Sequence, residues 1–103
     1  MNVIWMEQAY ESLYTTIEYV DSEFGEQASD KLKKEAFHIG NLLADNPHLG
    51  APEPLLFHLP ELYRSIVVNK LNKIVYRIVE DRIEIADFWD VRKEPQSLVS
   101  QIE

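Results

Sequence analysis

Hydrophobic positions along the chain change their spacing, and each spacing is typical of a different secondary structure. The stretch NVIW at 2–5 forms a short strand-like run. From about 6 to 24, and again from about 26 to 45, apolar residues recur every three or four positions. This period places them on one face of a helix. The sequence therefore predicts a short N-terminal strand followed by two amphipathic helices.

Two sets of helix-breaking residues mark the ends of these helices. Gly25 separates the two helical stretches, and glycine tolerates the left-handed conformation in which helices commonly end. The segment NPHLGAPEP at 46–54 contains three prolines and a glycine, which end the second helix. Two helices joined by so short a turn form an αα-hairpin.

From residue 62 onward the period becomes two. The segments 62–70, 73–80 and 82–89 are rich in β-branched and aromatic residues, which favours strands. The connections near 69–72 and 80–81 are too short for a crossover, so the strands must pair antiparallel. We predict an α+β fold in which the αα-hairpin packs on one face of a small antiparallel sheet. Residues 1–103 form a single domain on this interpretation.

The charge of the chain is unevenly distributed. The formal net charge is -8 over 103 residues. Residues 1–61 hold eleven acidic residues against three lysines, whereas residues 62–103 hold seven of each sign. Phosphate contacts need clustered cations, so general affinity for nucleic acid is not expected. A localised binding surface in the second part is compatible with these numbers.

The sequence also bears on compartment and cofactors. The start MNVIWMEQAYESL lacks the basic and apolar regions of a signal peptide, and no uncharged run approaches the roughly 18–20 residues that span a bilayer. We expect a cytoplasmic protein without membrane contact. Cysteine is absent, and the three histidines, at 38, 48 and 58, do not share a helix face. No metal site and no cofactor are therefore predicted.

The C-terminal half carries an ordered set of residues that resembles a known superfamily. Written from Tyr63 to Leu98, it reads YRS..V.K.NKIVYRI.ED.I.I...WD.R..P..L. Together with the preceding helix pair and the Asn46-Pro47…Gly50 break, this order resembles the RelE/ParE superfamily of type II toxin–antitoxin toxins. The resemblance covers almost the whole chain, and it implies the element order β-α-α-β-β-β.

The resemblance implies a small cytoplasmic toxin that a cognate antitoxin holds inactive. RelE-like members cleave messenger RNA on the ribosome, whereas ParE-like members, known as plasmid stabilisation proteins, block DNA gyrase without nuclease chemistry. A shared fold does not decide between these activities. A homodimer and a hetero-oligomer with the antitoxin are both compatible with the resemblance.

Individual residues favour the ParE-like branch. RNA cleavage needs cations and a proton donor around the scissile phosphate. In a RelE-like site, Arg64, Lys73 and Arg92 would be the catalytic cations. However, Ile66 stands where a second strand lysine is expected, and no tyrosine follows Tyr76. The ending WD.R..P..L is also more similar to ParE-like proteins.

We therefore expect the chain to act by binding a protein, with DNA gyrase as the candidate target. Trp89, Arg92 and Lys93 are the predicted target contacts, next to Arg64 and Lys73. Two of them have a structural alternative: Trp89 would pack in the core, and Arg92 would pair with Asp90 or Asp87. Two functional alternatives also stay open, a ribosome-dependent mRNA endoribonuclease and a non-toxic interaction module.

Overall fold

The secondary structure follows the predicted order and adds three elements to it. The computed structural model describes all 103 residues, Met1–Glu103. Its elements are β1 (Asn2–Trp5), α1 (Glu7–Phe24), α2 (Glu26–Asp45), β2 (Ala51–Pro52), a 3-10 turn (Pro54–Leu56), β3 (Tyr63–Val67), β4 (Asn72–Val79), β5 (Arg82–Asp90) and α3 (Pro95–Ile102). The N-terminal strand, both long helices and the three later strands are confirmed. β2, the 3-10 turn and α3 were not predicted from the sequence pattern.

The five strands form one sheet in the order β1-β5-β4-β3-β2. The pairs β3–β4 and β4–β5 are antiparallel, as predicted from their short connections. β1 instead runs parallel to β5, with Asn2 opposite Arg82 and Trp5 opposite Ile85. A parallel pair requires a crossover connection, and here the helical hairpin begins that connection. The α+β class is confirmed, but the sheet is mixed.

The helical hairpin packs on one face of this sheet and forms the main core. Gly25 joins the two helices with φ +94°, and its N–H donates to the Asp21 carbonyl over 2.9 Å. The core side chains from the helices are short or aliphatic, and those from the sheet are larger. They are Ala9, Leu13, Leu32, Ala36, Leu43, Ile74, Tyr76, Ile83, Ile85 and Phe88.

The opposite face of the sheet carries a second, smaller core beneath α3. Leu56, Val75, Trp89 and Leu98 are all buried there. Side chains of a strand alternate between faces, so Val75 lies in this core while the next residue lies in the main core. The helical hairpin therefore covers one face of the central strands, and α3 with the 3-10 turn covers the other. These two layers determine where the predicted site residues lie.

Candidate functional site

The loop after α2 is fastened to the sheet by Tyr76. The Tyr76 hydroxyl donates to the Pro47 carbonyl over 2.7 Å and accepts the Gly50 N–H over 2.9 Å. The ring is fully buried, and burial raises the pKa of the hydroxyl, against the effects of the Gly50 bond and Arg64. A Cβ atom at Gly50 would lie 2.7 Å from the Ser65 carbonyl oxygen, so this position requires glycine. The segment predicted to end the second helix, 46–54, is therefore a loop that Tyr76 holds against the sheet through Pro47 and Gly50.

Arg64 supports the same loop from β3. Its Nη1 atom donates to the Gly50 carbonyl over 2.8 Å, and the side chain is half-buried. Arg64 lies directly opposite Tyr76 in the antiparallel pair, on the face that the helical hairpin covers. Together with His48 and Arg77 it also lines an open cleft of about 400 Å³.

Lys73 lies on the other face. Its ammonium forms an ion pair with Glu53, whose side chain is 2% exposed, and the Ser65 hydroxyl donates to the second Glu53 oxygen over 3.3 Å. Lys73 is opposite Trp89 on β5. Strand alternation thus places Arg64 and Lys73 on opposite faces of the sheet. The two cations that a RelE-like site would use together are not brought together.

Trp89 occupies a core position rather than a surface position. Its side chain is 2% exposed and packs with Leu56, Val75 and Leu98. The structural alternative for Trp89 therefore holds, and a direct contact between its ring and a target does not fit this burial. The Lys93 ammonium lies 5.5 Å from the ring centroid, close enough for a cation–π interaction. Trp89 therefore supports the exposed Lys93 from beneath.

Arg92 forms the local ion pair that its structural alternative describes. Its Nη2 and Nε atoms donate to the two Asp90 oxygens over 2.8 and 3.1 Å. The hydrogen bonds from Arg92 hold the pKa of Asp90 below its ordinary value. The Arg92 side chain is nevertheless 61% exposed, so a partner can reach it. Asp87, the other acid considered, is buried and does not pair with Arg92.

The fold brings a second segment to this strand end. The Val91 N–H donates to the Leu71 carbonyl over 2.8 Å, which joins the end of β5 to the β3–β4 turn. Leu71 and Val91 are exposed, as are Lys70 and Lys93, and neither lysine is in an ion pair. We call this cluster the exit surface; its residues are Lys70, Leu71, Val91, Arg92 and Lys93.

Asp87 is a buried carboxylate that the sequence analysis did not single out as functional. It is fully buried where β5 passes a register irregularity, and its Oδ2 atom has no hydrogen-bond partner. The Phe88 N–H donates to Oδ1 over 2.9 Å. Burial raises the pKa of Asp87, and nearby Ser12, Phe88 and Lys93 limit the rise.

Three other features bear on the expected chemistry. No three side chains of His, Cys, Asp or Glu lie close enough together to hold a metal ion. None of the helices has the length and apolar character needed to cross a membrane. Arg77 is also paired: its Nε and Nη2 atoms donate to Oε1 of Glu84 over 3.1 and 3.0 Å.

Comparison with known proteins assigns the family. The sequence profile described as "ParE toxin of type II toxin-antitoxin system, parDE" matches residues 3–95. The chain belongs to the ParE toxin family. Its resemblance to the RelE/ParE superfamily, and to the ParE-like branch within it, is thereby confirmed. No curated protein matches the sequence.

Solved structures agree with this ParE assignment at the level of the fold. A chain of the chromosomal ParDE TA system from P. aeruginosa is similar with a TM-score of 0.72 and 16% identity, over 87% of this chain and 95% of that one. The YoeB dimer from Staphylococcus aureus is similar with a TM-score of 0.58 and 24% identity, over 85% and 93% of the two chains. At these identities the likeness concerns the architecture alone.

Within this ParE-type fold, one part of the candidate site was predictable from the sequence and another was not. Arg92 and Lys93 were predicted from their place at a strand end, and they remain a prediction. The role of Glu53 was not predictable, because nothing in the sequence links that glutamate to a lysine twenty positions later. The contact between the β3–β4 turn and Val91 was not predictable either, since it depends on the strand register.

Proposed function

We propose that this ParE-type toxin acts in the cytoplasm by binding a protein target through the exit surface, and that a cognate antitoxin neutralises it. DNA gyrase is the candidate target, because the ParE-like branch implies it. Inhibition of growth and stabilisation of a plasmid would follow from such binding.

The observation that carries this proposal is the placement of Arg64 and Lys73 on opposite faces of the sheet. A nuclease site needs several cations around one phosphate. Here one cation supports the Gly50 carbonyl and the other pairs with buried Glu53. Arg64 and Lys73 therefore do not form one cationic centre, which supports binding over RNA cleavage.

The exit surface has the features of a protein contact. It combines two exposed aliphatic side chains with cations that neighbouring groups hold in place: Asp90 orients Arg92, and the Trp89 ring lies beneath Lys93. Exposed apolar residues next to arginine are common in interfaces between proteins. Side chains that are already oriented lose less conformational entropy on binding.

The test is induction of the chain in bacteria with and without its antitoxin, together with purified gyrase. We expect growth arrest that the antitoxin relieves, and trapped gyrase–DNA complexes. Arg92→Ala and Lys93→Ala should each reduce trapping by about tenfold or more, the loss typical of an important interface residue. Arg82→Ala is a matched control, because Arg82 pairs with Glu84 two residues away at the other end of β5.

Three outcomes would contradict the proposal. Discrete cuts inside translated codons, with untrapped gyrase, would assign mRNA cleavage. Robust growth at high expression, with tight binding to the antitoxin, would assign a non-toxic interaction module. An equal loss of trapped gyrase–DNA complexes in Arg82→Ala and Arg92→Ala would show that the loss does not depend on the exit surface.

A further inference from the structure

Four aromatic rings form a continuous cluster where β1 adjoins the helical hairpin. Trp5 lies 5.3 Å from Phe37 and 6.1 Å from Tyr10, and Tyr10 stacks on Tyr14 at 6.0 Å. We call this cluster of Trp5, Tyr10, Tyr14 and Phe37 the aromatic seam. Tyr10 and Tyr14 are 43% and 38% exposed, whereas Trp5 and Phe37 are partly buried against the main core, so the two tyrosines are the rings that face solvent. Large aromatic groups in contact with water commonly mark binding surfaces.

The two sides of the aromatic seam carry opposite charge. On α1, Glu7, Glu11 and Glu18 are exposed and lie within three or four positions of a seam tyrosine, hence on the same side of the helix. On α2, Lys33 and Lys34 are exposed, and the Lys33 ammonium lies 5.7 Å from the Tyr14 ring centroid.

The basic side is unusual for this part of the molecule. All three lysines of residues 1–61 lie on α2, and two of them, Lys33 and Lys34, flank the seam. Asp30 lies beside them and is the acidic residue of that side. The seam therefore separates an acidic margin on α1 from a margin with a cationic excess on α2.

We infer that the aromatic seam is a dimerisation surface whose occupant is a second copy of this chain. A two-fold interface uses the same patch on both partners, so the patch must complement itself. A two-fold axis that runs along the seam, in the plane of the interface, places the acidic α1 margin of each copy over the lysines of the other. The exposed rings of Tyr10 and Tyr14 then meet at the centre, where interfaces concentrate their aromatic residues.

Single-stranded nucleic acid is a different class of occupant that also uses aromatic rings and lysines. The α1 margin would place three glutamates beside its phosphates, which opposes that binding. The self-complementary charge pattern therefore favours the second copy. This inference goes beyond the proposed function and does not depend on it.

Block charge reversal tests the inference by sedimentation velocity at about 0.15 M salt, where repulsion between distant charges is screened. Lys33→Glu with Lys34→Glu changes the formal net charge from -8 to -12, and Glu11→Lys with Glu18→Lys changes it to -4. Each block would face like charges in the dimer and should weaken dimerisation by about tenfold or more. The fourfold variant restores both the net charge and the complementarity, so its dimer should return to within about threefold of the parent.

Matched controls separate the surface from net charge. Lys31→Glu with Lys70→Glu, and Glu23→Lys with Glu94→Lys, make the same changes at exposed positions outside the seam and its margins. They should leave the dimer within about threefold of the parent. A chain that is monomeric at about 500 µM overturns the inference. The inference is also overturned if the charge-reversal variants at the seam dimerise as tightly as their controls, or if the fourfold variant stays dissociated. A monomer that binds a single-stranded oligonucleotide through the seam would overturn it as well.

Discussion

The ammonium of Lys73 is paired with the deeply buried carboxylate of Glu53. This pair links β4 to the segment between β2 and the 3-10 turn, and the Ser65 hydroxyl contacts the other carboxylate oxygen. A lysine in such a pair stabilises the fold because its positive charge compensates a carboxylate that is buried away from water. Lys73 therefore has a structural role, and its removal is predicted to affect stability first.

Lys73→Met is expected to destabilise the protein by about 3–5 kcal/mol, because it leaves the Glu53 charge buried and unpaired. The double change Lys73→Met with Glu53→Leu should recover much of this loss. Urea unfolding of the single and double variants measures both effects. Lys31→Met is the control, since Lys31 forms an exposed pair with Glu35 and its loss should cost at most about 1 kcal/mol. Equal stability of Lys73→Met and the parent would contradict the structural role.

Tyr76→Phe is expected to lower stability by about 1–3 kcal/mol, because it leaves the Pro47 carbonyl and the Gly50 N–H without their partner. Hydrogen exchange at Gly50 should accelerate by a larger factor than exchange at core strand amides. Tyr63→Phe is the control, since no hydrogen bond of the Tyr63 hydroxyl is present and the expected change is within about 0.5 kcal/mol. Unchanged exchange at Gly50 would show that the loop is held by other contacts.

Asp87→Asn is expected to show a pH-dependent effect. Burial raises the pKa of Asp87 in the folded state. Such a group favours the fold fully below its unfolded pKa of about 3.9, and this contribution is lost as pH rises through the folded pKa. The urea midpoint of Asp87→Asn relative to the parent should therefore increase from about pH 4 to pH 7.5. Asp81→Asn, in the exposed β4–β5 turn, should show no such trend, and a constant difference for Asp87→Asn would refute the prediction.

Leu98→Ala is expected to detach α3 from the sheet. Leu98 is fully buried, its truncation should cost about 2–5 kcal/mol, and an eight-residue helix is marginal without its contacts. The chain has two tryptophans, so a Trp5→Phe background makes Trp89 the sole emitter. Emission should shift to longer wavelength and become more accessible to acrylamide in Leu98→Ala, but not in Ser100→Ala at an exposed α3 position. Unshifted emission would mean that Trp89 is shielded by other groups.

The local patterns predicted most of the elements, and the missed features depend on distant contacts. The spacing of apolar residues and the breakers at Gly25 and 46–54 were sufficient for both helices and three strands. The direction of β1 was not predictable from hairpin lengths, because its partner is β5 at the other end of the chain. α3 was missed since its apolar side gains a partner only when Trp89 and Leu56 meet beneath it.

In the candidate site, too, local patterns predicted some features, and contacts between distant residues decide the others. Counting charges near Arg92 along the sequence gives two bases and three acids, Asp87, Asp90 and Glu94. In the fold Asp87 is buried, and Asp90 and Arg92 neutralise each other, which leaves Lys93 against the exposed Glu94. The β3–β4 turn then adds Lys70. Strand register and burial, which no local pattern reports, therefore decide the charge of the exit surface.

The parallel pairing of β1 with β5 has a consequence for synthesis on the ribosome. Asn2 pairs with Arg82, so the first strand is made eighty positions before its partner. At roughly 5–20 residues per second, that interval lasts about 4–16 s. During this time the helical hairpin has emerged, but the central strands that cover its apolar side are incomplete. β1 can therefore take its place in the sheet only after residues 82–85 have emerged from the ribosome, and until then its pairing edge stays open.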